Sequence, residues 1–361
     1  MIKKKQIWFS VAPLALIHVV VLGAGFFAPY DPAEQHRDVP FAPPMRMHFV
    51  NVQGKFHLRP YVCPLANQEQ GIGRPRYAED CSSARPLRFF VREESRQDKT
   101  KLGASWHLFG VDAPVHVFFL GTDDYGRDQL SRLLHGGQSS LFAGLLATVL
   151  SLTLGLLLGS IAGYFGSWLD DTIMRGAEIF MALPWIYLLF AVRAFLPLQV
   201  GARQSFFLLV GIIGLTGWAR PARLIRGVVL SAKEREFVLA ARGFGASNAY
   251  ILRRHLLPET FAIVLTQAAL LIPQCILTEV TMSFLGLGVG EPIPSWGNML
   301  ASVQKYYVLE SYWWMFLPGI ILVPIFLLYY ALAAALLARV KTPESRGLNK
   351  VASGNKLQVA I

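Results

Sequence analysis

Three carboxylates crowd the stretch "GTDDYGRDQLSRLLHGG" (121–137): Asp123, Asp124 and Asp128. Acids at that spacing could ligate calcium, but the pattern of a calcium-binding loop fails after its first few positions, so the stretch reads as a structural elbow. Thr122 and Asp123 stand before Leu130, Leu133 and Leu134 at helical spacing, and they are expected to cap an amphipathic helix that feeds a membrane span. Arg220, Arg223 and Arg226 recur every third residue, a spacing also used by voltage sensors, yet they close an apolar run where basic side chains can reach lipid headgroups. Gln274 and Glu279 fall inside another such run. A carboxylate there is costly unless it faces protein or water, so this pair marks either a translocation path or a helix interface.

Other chemistry is missing. No GxxxxGK[ST] occurs, so the chain has no phosphate-cradling loop of that kind. "GLGVGEPIPS" (286–295) is glycine-rich, but its prolines prevent the helix whose N-terminus would bind phosphate, and it reads as a turn-rich external loop. No His, Cys or carboxylate cluster has zinc-ligand spacing, and no nucleophile motif is present. The chain is expected to bind no metal or cofactor and to be no enzyme.

The elements that must position these residues follow from composition. Of 361 residues, 53% are hydrophobic and only 16% charged, against roughly 25% charged in an average soluble domain. Net charge is +11, but many basic residues flank apolar runs, which reads as membrane anchoring and not nucleic-acid binding. Six runs approach the roughly 20 residues a spanning helix needs: about 7–27, 141–164, 177–198, 206–230, 261–285 and 313–337. The fold class is therefore an all-α polytopic membrane protein. Lys3, Lys4 and Lys5 before the first run, and Arg339, Lys341, Arg346 and Lys350 after the last, place both termini in the cytoplasm. The chain then divides into a tail and first span (1–29), an extracytoplasmic insert (30–120), a transmembrane domain (121–341) and a cytoplasmic tail (342–361). Glu178 and Arg193 lie near the ends of the third run and carry little information.

The insert is too long and polar for a simple connection. "HFVNVQGKFHLRPYV" places apolar residues on either side of Gln53 and Gly54, as in a hairpin, and "RPLRFFVRE" suggests a further strand. Cys63 and Cys81 both lie here, on the oxidising side where disulfides persist, and are expected to pair. Cys275, inside a span, reads as a small apolar packer.

Between the fourth and fifth runs stands "LAARGFGASNAYILRRHLLPE" (239–259). Phe237, Ala241 and Phe244 fall on one helical face, with Glu234, Arg235 and Arg242 elsewhere, so 234–244 is expected to form a short amphipathic helix. Gly245 would end it, Ser247 would cap a second helix carrying Ile251, Leu252 and Leu256, and Pro258 would start the next span. Small residues at Ala240, Ala241 and Gly243 let another backbone approach, as a helix in a partner's groove requires. Periodicity alone equally allows a helix resting on lipid.

At this loop the chain resembles the inner-membrane permease subunits of ATP-binding-cassette importers, whose signature is Glu-Ala-Ala, three residues, Gly, nine residues, then Ile-x-Leu-Pro. Ala240, Ala241, Gly245, Leu257 and Pro258 match in register, while Leu239 replaces the Glu and His255 the Ile. "LGTDDYGRDQLSRLLHG", "GWARPARLIRGVVLSAKEREFV" and "SFLGLGVGEPIPSWGNML" narrow the resemblance to the C-type permease of dipeptide and oligopeptide importers, over the first span and about 120–341. "APPMRMHF" and "HLFGVD" are similar to members with a long insert. The resemblance implies a type I importer permease fold, a homologous B-type permease partner, two cytoplasmic ATPase subunits that use the ATP, and an external substrate-binding protein. It also implies that 234–258 couples ATPase closure to rigid-body switching of the paired bundles. Alternatives are the same fold importing nickel, glutathione or another small solute, and a channel or scaffold with no ATPase.

Overall fold

The computed structural model describes residues 2–50, 56–68, 75–93, 105–194 and 201–340. The turn at Gln53 and Gly54, the side chains of Lys3, Lys4, Lys5, Arg193 and Arg339, and the basic residues Lys341, Arg346 and Lys350 lie outside what is described. Helix α1 (Ile2–Leu22) contains Pro13 and gives way at Gly23 to a single turn, α2 (Ala24–Phe27).

The insert follows, with strands β1 (His48–Val50), β2 (Phe56–Val62), β3 (Leu65–Asn67), β4 (Tyr77–Glu79), β5 (Arg85–Pro86), β6 (Arg88–Glu93) and β7 (Ser105–Gly110). They form three small sheets, ordered β1-β2-β5, β3-β4 and β6-β7. β1 and β2 pair antiparallel, as the alternation on either side of Gln53 predicts. The single strand expected from "RPLRFFVRE" is split at Leu87. Leu87 is buried and donates its N–H to Pro60, so β5 pairs with β2 while β6 turns away to pair with β7. Val39, Ala42, Met45, Val62, Val115, Val117 and Phe118 make the insert's core. Cys63 and Cys81 are bonded to each other across 18 residues, a loop closure that contributes about 3 kcal/mol. Mass spectrometry without reduction should therefore find the two peptides linked, and Cys63→Ser should lower the insert's unfolding midpoint. Free thiols at both positions in protein made on an oxidising side would count against the bridge.

Helix α3 (Gln129–Phe165) runs 37 residues without a break, about 55 Å at 1.5 Å per residue, well beyond the roughly 30 Å hydrocarbon core. The elbow helix and the second span are thus one element. Its cap is Asp128, whose carboxylate accepts the N–H and hydroxyl of Ser131, and not the expected Thr122 and Asp123. A column of small residues lets α3 serve as the axis of the bundle. Gly144 meets Ile276, Ser151 meets Gly217, and Gly155, Gly159 and Gly163 meet Pro221, Ala222 and Val229, the small-xxx-small geometry by which apolar helices approach in lipid.

After Gly166 the chain reverses into α4 (Ser167–Ala182) and, past Leu183 and Pro184, α5 (Trp185–Ala194). Helices α6 (Ala202–Thr216) and α7 (Ala219–Lys233) meet at a 41° bend, where the Ser151 hydroxyl donates to the Gly214 carbonyl. The 234–258 loop holds α8 (Glu236–Gly243) and α9 (Asn248–Ile251), then α10 (Leu257–Phe284). Short α11 (Trp296–Ala301) and α12 (Tyr306–Ser311) lead to α13 (Leu317–Val340). Among the described residues three helices are long and apolar enough to cross a membrane, Gln129–Phe165, Asn248–Phe284 and Trp313–Ala338, with a fourth crossing if the bent pair is one span. The expected six are not reached by that criterion. The proline at 184 divides the third run, the bend at Gly217 divides the fourth, and the first is left with a short apolar stretch, Ile7–Leu22.

The bundle closes differently at its two ends. At the insert end, the start of α3 meets α1, α2 and α11. At the loop end, the close of α7 meets α8 and the helical turn before α10.

Candidate functional site

At the loop end every reversal has a local cause. Gly245 adopts φ +79°, which leaves α8 in the left-handed conformation a side chain resists. The N–H of Ala246 bonds to Ala241 and that of Gly245 to Arg242, a Schellman closure. Ser247 then caps α9 by accepting the N–H of Tyr250. A π-helical stretch, Leu252–Leu256, joins α9 to α10, so that the second loop helix and the apolar helix after it are continuous, with Pro258 in the first turn of α10.

Val238, Ile251 and Leu256 are buried against Tyr164 of α3 and Ile225, Val229 and Ala232 of α7, with Ala241 packed at the margin. Tyr164 donates its hydroxyl to Asn248, and Arg242 lies over the Tyr164 ring at 5.8 Å. Arg235 pairs with Glu259 at 2.9 Å across the loop's two ends. The inward face is therefore Val238 and Ala241, so the expected apolar face of Phe237, Ala241 and Phe244 meets this chain's own core only through Ala241. Phe237 is exposed beside His255, and Phe244, at the helix terminus, is 92% exposed. Ala240 and Gly243 are exposed too, and a Cβ built on Gly243 or Gly245 meets nothing within 4 Å. Leu239, in the family Glu's position, is exposed, as is Pro258, while Leu257 is half-buried.

At the insert end the three acids of 121–137 are all engaged. Asp123 accepts from the N–H groups of Tyr125 and Arg127 and from the Arg127 guanidinium at 2.6 Å. Arg127 and Arg132 each reach a different oxygen of Glu291 at 3.0 Å, tying the start of α3 to the loop before α11. Lys305 holds Asp124 at 3.1 Å, a hydrogen bond that raises the lysine pKa. Burial pushes the Asp128 carboxyl up to about 6. Thr122 is buried, bonded to Val39 and Ala42, and its carbonyl accepts from the Trp314 indole. The cations and amides occupy the acids, so the elbow is an ion-pair knot.

In the bundle core, Glu279 is fully buried inside this one chain. It accepts the Ser283 hydroxyl at 2.7 Å, and Ser140 and Ser295 stand beside it. That is a helix interface among α3, α10 and α11. Gln274 differs, since it lines a cavity of 430 Å³ with Leu189, Thr216, Arg220 and Thr278. The arginine ladder does not act as a unit. Arg220 faces that cavity, Arg223 lines a smaller groove beside Glu178, and Arg226 is paired in a fork with Asp170 of α4, which overturns a uniform lipid-snorkelling role. Cys275 is buried, as expected of a packer.

The sequence reading missed the column Gly155, Gly159 and Gly163. Its four-residue spacing was visible, but only α7 shows what it packs against.

Long apolar helices and bent helices, with an exposed loop tethered between two of them, define an integral membrane protein. Residues 155–342 match the binding-protein-dependent transport system inner membrane component family, and the chain belongs to that family. A putative peptide permease of Brucella suis is 38% identical over 208 residues, covering 57% of this chain and 67% of that one. The dipeptide transport permease DppC of Bacillus subtilis is 34% identical, covering 57% and 62%, and the oligopeptide transport permease OppC of Escherichia coli 36% identical, covering 58% and 67%. The matched stretch thus spans about two thirds of these relatives, slightly less for DppC. An inward-facing methionine ABC transporter is 19% identical with a TM-score of 0.44, covering 57% of this chain and 95% of that one.

Proposed function

We propose that this chain is the C-type permease subunit of an ATP-binding-cassette importer for dipeptides or oligopeptides, pairing with a homologous B-type permease, two cytoplasmic ATPases and an external binding protein. The peptide assignment rests on the relatives, which carry peptide-transport names at 34–38% identity. In this reading α1 with α2, α3, α4 with α5, α6 with α7, α10 and α13 make six crossings. Both termini and residues 234–258 then face the cytoplasm, and the insert faces outward. The ATP belongs to the partners, and this chain transmits its effect.

One observation carries the coupling role. Gly243 has no side chain where a Cβ would meet nothing in this chain, Ala240 beside it is small and exposed, and both lie between exposed Phe237 and Phe244. A small-residue surface flanked by aromatics is what a helix in a partner's groove presents, with the aromatics as anchors. Val238, Ile251 and Leu256 would pass the load directly to α7 and α3.

Surface changes test this without disturbing the chain's own core. Phe244→Ala should weaken ATPase recruitment by roughly 30-fold, the loss of an anchor of about 2 kcal/mol, and Gly243→Leu should block docking by bulk. Both should abolish peptide-stimulated hydrolysis in the reconstituted complex while permease levels stay normal. Wild-type recruitment and stimulation in both variants would refute the coupling assignment. Stimulation by nickel or glutathione in place of peptides would redirect the cargo to the same fold's other solutes.

A further inference from the structure

We infer that Glu34, His36 and His116 form a binding site for a divalent transition-metal ion of the zinc type at the root of the insert. Their ligand atoms all lie within 4.8 Å of one another. The His36 imidazole is the fixed member. Its side chain is only 10% exposed, its ring is packed against Tyr30, Phe118 and His116, and its buried Nε2 has no hydrogen-bond partner. A buried ring nitrogen left without a partner is costly, and a metal ion would satisfy it. Glu34 Oε1 stands 3.8 Å from that nitrogen, and the His116 ring centroid 4.2 Å from the His36 centroid.

Ligand atoms on a tetrahedral zinc at 2.0–2.1 Å are separated by about 3.3 Å. Closing the cluster therefore asks for small rotations of the two exposed members, Glu34 and His116, about the buried His36. Two imidazoles and a carboxylate suit zinc and its neighbours over calcium or magnesium, and leave one coordination position for water. Asp38 acts by charge on both imidazoles, which favours a dication between them. The other cluster of similar make-up, His48 and Glu79 with Cys63 and Cys81, is unsuitable because its two sulfurs are bonded to each other.

Placement suggests what the ion does. Residues 30–39 follow the end of α2, and His116 lies in the segment that leads to α3, so one ion would fasten the insert's entry to its exit. The His36 carbonyl also packs on Gly126, inside the ion-pair knot. Metal binding would thus join the insert's root to the elbow of α3 through a covalently distant contact. It is independent of the cargo and of the ATPase coupling proposed above.

The test uses the full chain in its assembled complex, purified without a polyhistidine tag and titrated with Zn²⁺, then with Co²⁺ for its absorption spectrum. One tight equivalent is expected, with the visible bands of cobalt in a low-coordinate nitrogen and oxygen site. His116→Gln and His36→Gln should each weaken Zn²⁺ binding by at least about 100-fold and remove the cobalt bands, and Glu34→Gln should shift them, while His48→Gln leaves both unchanged. His116 and Glu34 are exposed, so their variants report on binding even if His36→Gln assembles poorly. The proposal is overturned if no tight equivalent binds, or if the bound ion follows His48 and ignores His36, His116 and Glu34.

Discussion

Gly159→Leu should leave little correctly folded protein in the membrane. A side chain at Gly159 enters the Ala222 backbone, with the Ala222 Cα and carbonyl carbon both 3.0 Å from the position of a Cβ. Backbone cannot yield as the tip of a flexible side chain would. One turn away on either side the margins are as narrow. A Cβ at Gly155 falls 2.7 Å from Pro221 Cβ, and one at Gly163 falls 2.9 Å from the Arg226 carbonyl oxygen, so α7 cannot pivot about a neighbouring contact to make room. Overpacking of a well-filled site costs about 1–3 kcal/mol even where side chains can adjust, and four added carbons against backbone should exceed that range. Gly159→Ala should be milder but still destabilising. Detergent-solubilised yield, thermal unfolding and protease resistance measure the effect. Because the far end of α7 carries Val229 and Ala232 beneath Val238 of the loop, surviving protein should also show ATPase activity that no longer responds to substrate. A normal melting temperature for Gly159→Leu would mean that α3 and α7 are not packed this closely.

Arg132→Ala is expected to be nearly as damaging, for an electrostatic reason. Arg132 is 2% exposed and serves Glu291 at 3.0 Å and Asp123 at 3.6 Å. Removing it leaves buried Asp123 and half-exposed Glu291 to Arg127 alone, at a cost below the about 3–5 kcal/mol of a fully buried pair but well above that of a surface one. Arg132→Lys should rescue poorly, since a point charge cannot span two acids as a planar guanidinium does. Arg175→Ala is the control. It breaks an ion pair of similar length with Glu178, but on the surface, where such pairs contribute little. The expected result is a large fall in unfolding temperature for both Arg132 variants and no measurable change for Arg175→Ala. Equal effects at the two positions would show that the knot is solvated and holds nothing in place.

Much of the loop was legible because its signals are local. A glycine required at positive φ, a serine before a helix and a proline in a first turn act over a few residues, and Gly245, Ser247 and Pro258 take those roles in the structure. What holds α8 to the bundle was not legible. Periodicity groups Phe237, Ala241 and Phe244 on one face, but only packing of the loop against α7 shows that Val238 is the residue this chain buries. The capping acid was misplaced for a related reason. Asp123 and Asp128 are both good caps by type, and the competition was settled by Arg127, which takes Asp123 and leaves Asp128 to Ser131.

Composition and the length of apolar runs determined by themselves that this is a membrane protein, because a bilayer sets the required span and few soluble cores need such runs. Short motifs likewise determined the loop's turns and the family resemblance. Tertiary structure alone decided where the polar residues act. Glu279 and Gln274 are five residues apart in one apolar run, yet one is sealed among serines and the other lines a cavity. The three arginines share a spacing but not a role, since Arg226 meets an aspartate 56 residues away. His36 and His116 show no metal spacing in sequence and stand side by side only when the insert closes on itself. Burial and pairing depend on which distant segments pack together, and that packing is set by the close fit of α3 against its neighbours, which no local pattern contains.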